Sequence, residues 1–123
     1  MEYLLGKTHW AIPEGYIPSK SNGPKPAMES HDSVCILNTS DKEATVEIFI
    51  YFEDRDPVGP YKVTVPPKRT THVRYNELNH PEEIPRDTDY AGVLIADVPI
   101  VVQYTRLDSR QSENALLSTI AYS

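Results

Sequence analysis

"PIVVQYTRLDSRQ" spans residues 99–111 and opens on an apolar run of the kind that forms a buried strand. In an extended chain, alternate side chains share a face. Ile100, Val102 and Tyr104 therefore point one way, and the next two residues in that row are Arg106 and Asp108, with Arg110 close behind. A core-facing row that ends in charge has two readings. In one, the strand leaves the core and an Arg106–Asp108 pair does no more than close a hairpin toward Asn114. In the other, Arg106, Asp108 and Arg110 line the rim of a cavity or a subunit junction, where guanidinium forks hold a carboxylate or a phosphate. The chain that follows, "NALLSTIAYS", stays apolar, so the charges are expected to enter a covered region. Its Ser118, Thr119 and Ile120 favour a strand over a helical turn.

Working outward, the same period-2 alternation recurs. In "ATVEIFIYFED", Val46, Ile48, Ile50 and Phe52 form one row, and Glu47, Phe49 and Tyr51 the other. The preceding "HDSVCILN" reads as a strand, and the polar break "NTSDK" between the two suggests a β-hairpin. "PYKVTVPPKRTTHVRYNEL" repeats the theme about Pro66-Pro67, with Tyr61, Val63 and Val65 in one row and Thr71, Val73 and Tyr75 in the next. "THWAI" and "GYI" flank Pro13-Glu14 as extended pieces, and "SNGPKPAMES" (21–30) is a Gly/Pro/Ser loop. Eleven prolines leave little room for a long helix. Seven or eight short strands separated by turn signals predict an all-β fold, an antiparallel β-sandwich or jelly-roll-like barrel formed by residues 1–123 as a single domain.

Length and composition set further limits. A chain of 123 residues, 39% hydrophobic and 24% charged, is long enough for one real core and is globular in type. A net charge of −6 argues against a general nucleic-acid binder. The lone Cys35 cannot make an internal disulfide, and its place in "SVCIL" suggests an inert thiol in the core. The N-terminal "MEYLLGKTHW" has neither a basic nor a long apolar region, and no run of about 18 apolar residues occurs, so a cytoplasmic location is expected.

Five stretches carry a resemblance: "WAIPEGYIP", "SVCILNTSD", "YFEDRDPVGPYKVTVPPKRTTHVRYNEL", "IPRDTDYAGV" and "VPIVVQYTRLDSRQSENALLSTIAY". Together they resemble the sensory rhodopsin transducer family, whose type member is the soluble partner of a cyanobacterial sensory rhodopsin. The similarity covers nearly the whole chain, apart from the first few residues and the 19–30 loop. The resemblance implies a small cytosolic β-sandwich that assembles as a tetramer and acts by binding, without catalysis and without a cofactor. It also implies a membrane photoreceptor partner or, as in relatives without a rhodopsin, a small-molecule ligand such as a sugar.

Candidate sites follow from the residues. Trp10, the only tryptophan, lies near Glu14 and Tyr16; an aromatic platform beside a carboxylate suits stacking on a sugar ring, while the alternative is a plug at one end of the sandwich. If 61–65 pairs with 70–75, then Lys62, Thr64, Thr70, His72 and Arg74 share a side, with Lys68 and Arg69 at the turn. That strip is either a solvated face, a contact with a subunit or acidic receptor, or a contact with DNA phosphates. His9, His31, His72 and His80 lack the close spacing of metal ligands, so no metal site is expected. The acids of "FEDRDP" and "PRDTDY" could form a glycosidase-like pair, but turn chemistry explains them better. A non-enzymatic oligomeric signalling or ligand-binding module is the leading expectation; a DNA-binding regulator and a sugar-active enzyme are the alternatives.

Overall fold

A computed structural model describes residues 5–19, 30–108 and 115–123. It contains strands β1 (Lys7–Gly15), β2 (His31–Asn38), β3 (Ala44–Tyr51), β4 (Val58–Val65), β5 (Arg69–Arg74), β6 (Tyr90–Asp108) and β7 (Ala115–Ile120), with one 3-10 turn at Tyr75–Glu77. The all-β expectation is borne out, and every strand pair is antiparallel.

The architecture turns on β6. Its first half pairs with β1 on one side and β3 on the other, and its second half pairs with β2 and β7. Two layers result, β4-β3-β6-β1 and β5-β2-β6-β7, joined through one strand and curled around one core. The inward row runs through both halves without changing parity: Tyr90, Leu94 and Ala96, then Ile100, Val102 and Tyr104, are all buried. Opposite them sit Val46, Ile48 and Ile50 of β3 and Val34 and Ile36 of β2, each fully buried. Pro99 lies where β6 passes between layers, at a register shift against β1 (Lys7 opposite Ile100, His9 opposite Ile95). Proline is tolerated there because the ladder is already interrupted.

The strand rows read from the sequence hold, but the two expected hairpins do not form. β2 and β3 lie in different layers, and so do β4 and β5. Asn38 supplies the physical reason. Fully buried, it donates from Nδ2 to the carbonyls of Lys42 (2.7 Å), Val65 (3.2 Å) and Pro66 (3.3 Å). Its Oδ1 accepts from the Ser40 amide (3.0 Å) and hydroxyl (2.7 Å). One side chain thus satisfies the backbone of both crossovers where they leave the ladders, and the Lys68 amide completes the link by donating to the Ser40 carbonyl. Lys68 takes the left-handed conformation this tight crossing needs (φ 54°).

Cys35 also departs from expectation. Val34 and Ile36 take the inward row, so Cys35 points to the outer face, half-exposed and directly across from His72. Partial burial still pushes its thiol pKa up, which keeps the thiolate scarce at neutral pH.

Asn38→Ala should leave several buried carbonyl and amide groups without partners and cost about 2–4 kcal/mol, given roughly 1–3 kcal/mol for each orphaned group after local relaxation. Urea unfolding measures this directly; a loss under about 1 kcal/mol would contradict the role given to Asn38.

Candidate functional site

The charged end of the β6 row meets a buried acid on the neighbouring strand. Arg106 does point inward, as its parity requires, and its side chain is 23% exposed. The carboxylate it meets is Asp32, its direct cross-strand neighbour, and not Asp108. Directly opposed residues lie about 5 Å apart, whereas positions two apart on one strand are separated by roughly 6.6 Å, so the cross-strand partner wins. Asp32 is fully buried. Its Oδ1 accepts from Arg106 Nε (3.3 Å), and its Oδ2 accepts from the Tyr90 hydroxyl (2.6 Å) and the Tyr16 amide (2.9 Å). Arg106 Nε also approaches the Tyr104 hydroxyl (3.2 Å). The Tyr75 ring packs 6.0 Å from that of Tyr90, with its own hydroxyl buried.

The electrostatics of this cluster are those of a fastening. Burial, and then the Asp32 charge, push the Tyr75, Tyr90 and Tyr104 hydroxyls well above the usual tyrosine range. Burial disfavours the Arg106 charge, but Tyr104 and Asp32 outweigh that effect and hold the guanidinium protonated. No hydroxyl here is poised to act as a base near neutral pH. The sequence held a signal for Asp32: in "HDSVCILN", Asp32 shares the inward row with Val34, Ile36 and Asn38. Asp108 ends β6 half-buried, opposite Ala115, and Arg110 lies outside the described residues.

Trp10 is brought to the core instead of to a binding surface. It is 7% exposed, and its indole Nε1 donates to the carbonyls of Lys7 (2.9 Å) and Ile100 (3.0 Å). Little of its ring is left for stacking, although Trp10 is among the residues around a shallow cleft of about 180 Å³ with His9, Ala11, Val93 and Tyr122. Glu14 parts company with Trp10. A register shift between Ile12 and Gly15 turns the Pro13-Glu14 pair out of the β1 ladder. Glu14 there joins Tyr51 and Glu53 from the end of β3 and Asp89 just before β6, around a cleft of about 380 Å³. Ala91, small and paired with Tyr51, is also part of the lining. Tyr90 is among the lining residues, while its side chain lies on the inward row, 4% exposed, with its hydroxyl on Asp32. Tyr16 is half-buried and is tied to the same carboxylate through its amide.

The expected basic strip is divided. Lys62 lies opposite Glu47 on the outer face of the first layer, while Thr70, His72 and Arg74 lie on the outer face of the second. Lys68 and Arg69 are exposed at the crossover between them. The division follows from the β4–β5 crossover, which replaces the hairpin that would have aligned the two rows.

Comparison with known proteins adds the family. The model of the Anabaena sensory rhodopsin transducer family matches residues 5–123. The chain belongs to that family. It is similar to the solved structure of the Anabaena sensory rhodopsin transducer at 58% identity, with a TM-score of 0.78, over 85% of this chain and 100% of that one. The crystal structure of Thermotoga maritima 1070 is similar at 36% identity and a TM-score of 0.85, over 95% of this chain and 94% of that one. No curated protein matches. The matched residues include all of β6, from Tyr90 to Asp108.

Replacing Arg106 with Met should leave the Asp32 charge buried without its counter-ion. The expected cost is about 3 kcal/mol, at the low end for a broken buried pair because Arg106 keeps some solvent. Adding Asp32→Asn removes the stranded charge and should recover part of that loss. Denaturant unfolding of the wild type, the single and the double variants checks this; a loss from Arg106→Met below about 1 kcal/mol, the range of surface pairs, would contradict it.

Proposed function

We propose that the chain is a soluble, cytoplasmic, non-enzymatic signalling module that assembles with copies of itself and transmits the state of a receptor or small-molecule ligand by binding. The observation that carries this reading is membership of the sensory rhodopsin transducer family across residues 5–123, with 58% identity to the Anabaena sensory rhodopsin transducer. By that kinship the partner is a membrane photoreceptor of the sensory rhodopsin type, and the assembly is a homotetramer. An exposed apolar stripe supports self-association. Leu116 (70% exposed) and Ile120 (62%) share the outer face of β7, Tyr122 (77%) follows, and Leu37 lies on the same face of the layer. Apolar surface of this kind on an edge strand is commonly covered by a second chain.

The geometry supports the alternatives less well. A DNA-binding face needs contiguous cations, and here the basic residues are split between two layers. A glycosidase needs one carboxyl desolvated as the acid, whereas Glu14, Glu53 and Asp89 all stand open to solvent. The cleft itself is suited to receive a small-molecule ligand, since its size falls within the usual range for such sites.

Light scattering at micromolar concentration should return a four-chain mass, reduced by Ile120→Asp. Titration into detergent micelles holding a sensory rhodopsin should show saturable binding that differs between light and dark. A monomer that binds the photoreceptor in neither state would overturn the proposal.

A further inference from the structure

Strand β7 presents a backbone edge whose geometry fits one partner, the same strand of a second copy. We infer that β7 pairs antiparallel with β7 of another chain about a two-fold axis at Ser118, so that the β5-β2-β6-β7 layer continues across the junction as one sheet. This inference rests on the reading of the chain as a self-assembling module and supplies that assembly with a defined contact.

Backbone direction fixes which groups are free. The Ala121 amide donates to the Val102 carbonyl of β6 (3.1 Å), whereas the Tyr122 amide donates to the Ala11 carbonyl of β1 (2.9 Å). Successive residues of an antiparallel strand turn their N–H and C=O groups to opposite sides. Ile120, Ser118 and Leu116 share the parity of Tyr122, so theirs turn away from β6. Carried on to Ile120, the Ala11–Tyr122 bridge would meet Pro13, which has no amide and lies on the β1 bulge. The ladder with β1 stops there, and among the described residues no strand covers the outward groups of Leu116, Ser118 and Ile120. The Ile120 carbonyl is met by the Thr119 hydroxyl, at a long 3.4 Å.

The other sheet edges are guarded and this one is not. Natural edges are protected by charge, by proline or by a bulge. Strand β4 carries Pro60 and Lys62, β5 carries Arg69 and Arg74, and β1 carries Pro13 and its bulge. Strand β7, "ALLSTI", has no charge and no proline, and its register against β6 is unbroken. It is also thinly covered. Leu116 and Ile120 are exposed on the outer face, and Thr119 is exposed although it lies opposite the buried Tyr104, so water reaches both faces. A neighbouring strand would cover that surface and the free edge together.

Self-complementarity selects a second copy as the neighbour. Two chains of net charge −6 repel, so a contact between them is favoured where formal charge is absent, as it is along β7. A two-fold axis at Ser118 sets that residue opposite its own copy and sets Leu116 opposite the partner's Ile120. All three outward residues then face outward residues, giving three close pairs and about six backbone hydrogen bonds. Apolar meets apolar on the outer face, and hydroxyl meets hydroxyl. Moving the axis by one residue, to Leu117 or Thr119, leaves Ile120 or Leu116 without an opposite residue inside β7.

Substitution at the axis tests the inference, read by light scattering, with thermal unfolding to confirm that the fold is intact. Ser118 is exposed, so the fold itself should accept the changes. Ser118→Lys and Ser118→Glu each set like charges face to face and should halve the mass of the assembly. Their equimolar mixture should restore it, because opposite charges then meet at the axis. In a Cys35→Ser background, Ser118→Cys should form an intermolecular disulfide under mild oxidation, whereas Leu116→Cys, set several residues from its own copy, should not. An assembled wild type whose mass neither charged variant changes overturns the pairing and leaves self-assembly standing. A reduced mass that the mixture fails to restore also overturns it, since the contact then lies away from the axis. A monomeric wild type overturns both the inference and the self-assembly reading. If Ser118→Lys keeps the wild-type mass but blocks the photoreceptor titration, the edge takes a receptor segment and the inference falls.

Discussion

A carboxylate sealed from solvent has to be met by donors, and around Asp32 those donors come from three separate parts of the chain. The Tyr16 amide fixes the segment that follows β1. The Tyr90 hydroxyl fixes the first residue of β6, and Arg106 fixes its far end. Buried ion pairs add little net stability, because desolvation offsets much of the attraction. What such a pair does supply is geometry, since breaking any one link strands a charge. Here that geometry also holds the Tyr90 ring, which cannot move without disturbing the hub. Gly15 reinforces this, because a Cβ there would come within 2.4 Å of the Tyr90 ring.

The rest of the fold follows from one strand serving two layers. β6 keeps the same parity from Tyr90 to Tyr104, so a single inward row feeds one core on both sides of the Pro99 irregularity. This much was legible in the sequence, because alternation is a local property and burial enforces it. Strand pairing was not legible. The five-residue break after Asn38 and the Pro66-Pro67 turn both have the length of hairpin loops, yet each carries the chain across to the opposite layer. The deciding contacts join Asn38 to carbonyls as far away as Val65 and Pro66, and nothing in either local stretch announces that partnership.

The candidate site divides along the same line. Arg106 was recognised as a charge carried into a covered region because parity alone places it there. Its partner was mistaken, since Asp32 is 74 residues away in the chain and only the register of β2 against β6 brings the two together. Glu14 was singled out with the wrong aromatic neighbour. Trp10 sits on the inward row of β1 and turns its indole N–H to two carbonyls, while the bulge at Pro13-Glu14 sends Glu14 to the opposite face, where Tyr51 waits. A bulge changes which way a side chain points by one residue, and single-sequence alternation cannot register it.

The central claim is that burial, reinforced by the Asp32 charge, holds a cluster of tyrosine hydroxyls protonated at the heart of the fold, and alkaline titration tests it most directly. Eight tyrosines are present, among which Tyr51 and Tyr122 are exposed. An unfolded chain ionises its tyrosines near 10.0, whereas burial and Asp32 hold Tyr75, Tyr90 and Tyr104 protonated well above that in the folded state. Above about pH 10 the folded protein therefore binds more protons than the unfolded chain, so stability is intact below that value and declines as pH rises beyond it. Tyrosinate absorbance from Tyr75, Tyr90 and Tyr104 should rise abruptly and only together with loss of the strand signal in circular dichroism. A single phase near pH 10 that ionises every tyrosine with the strands intact would contradict the account.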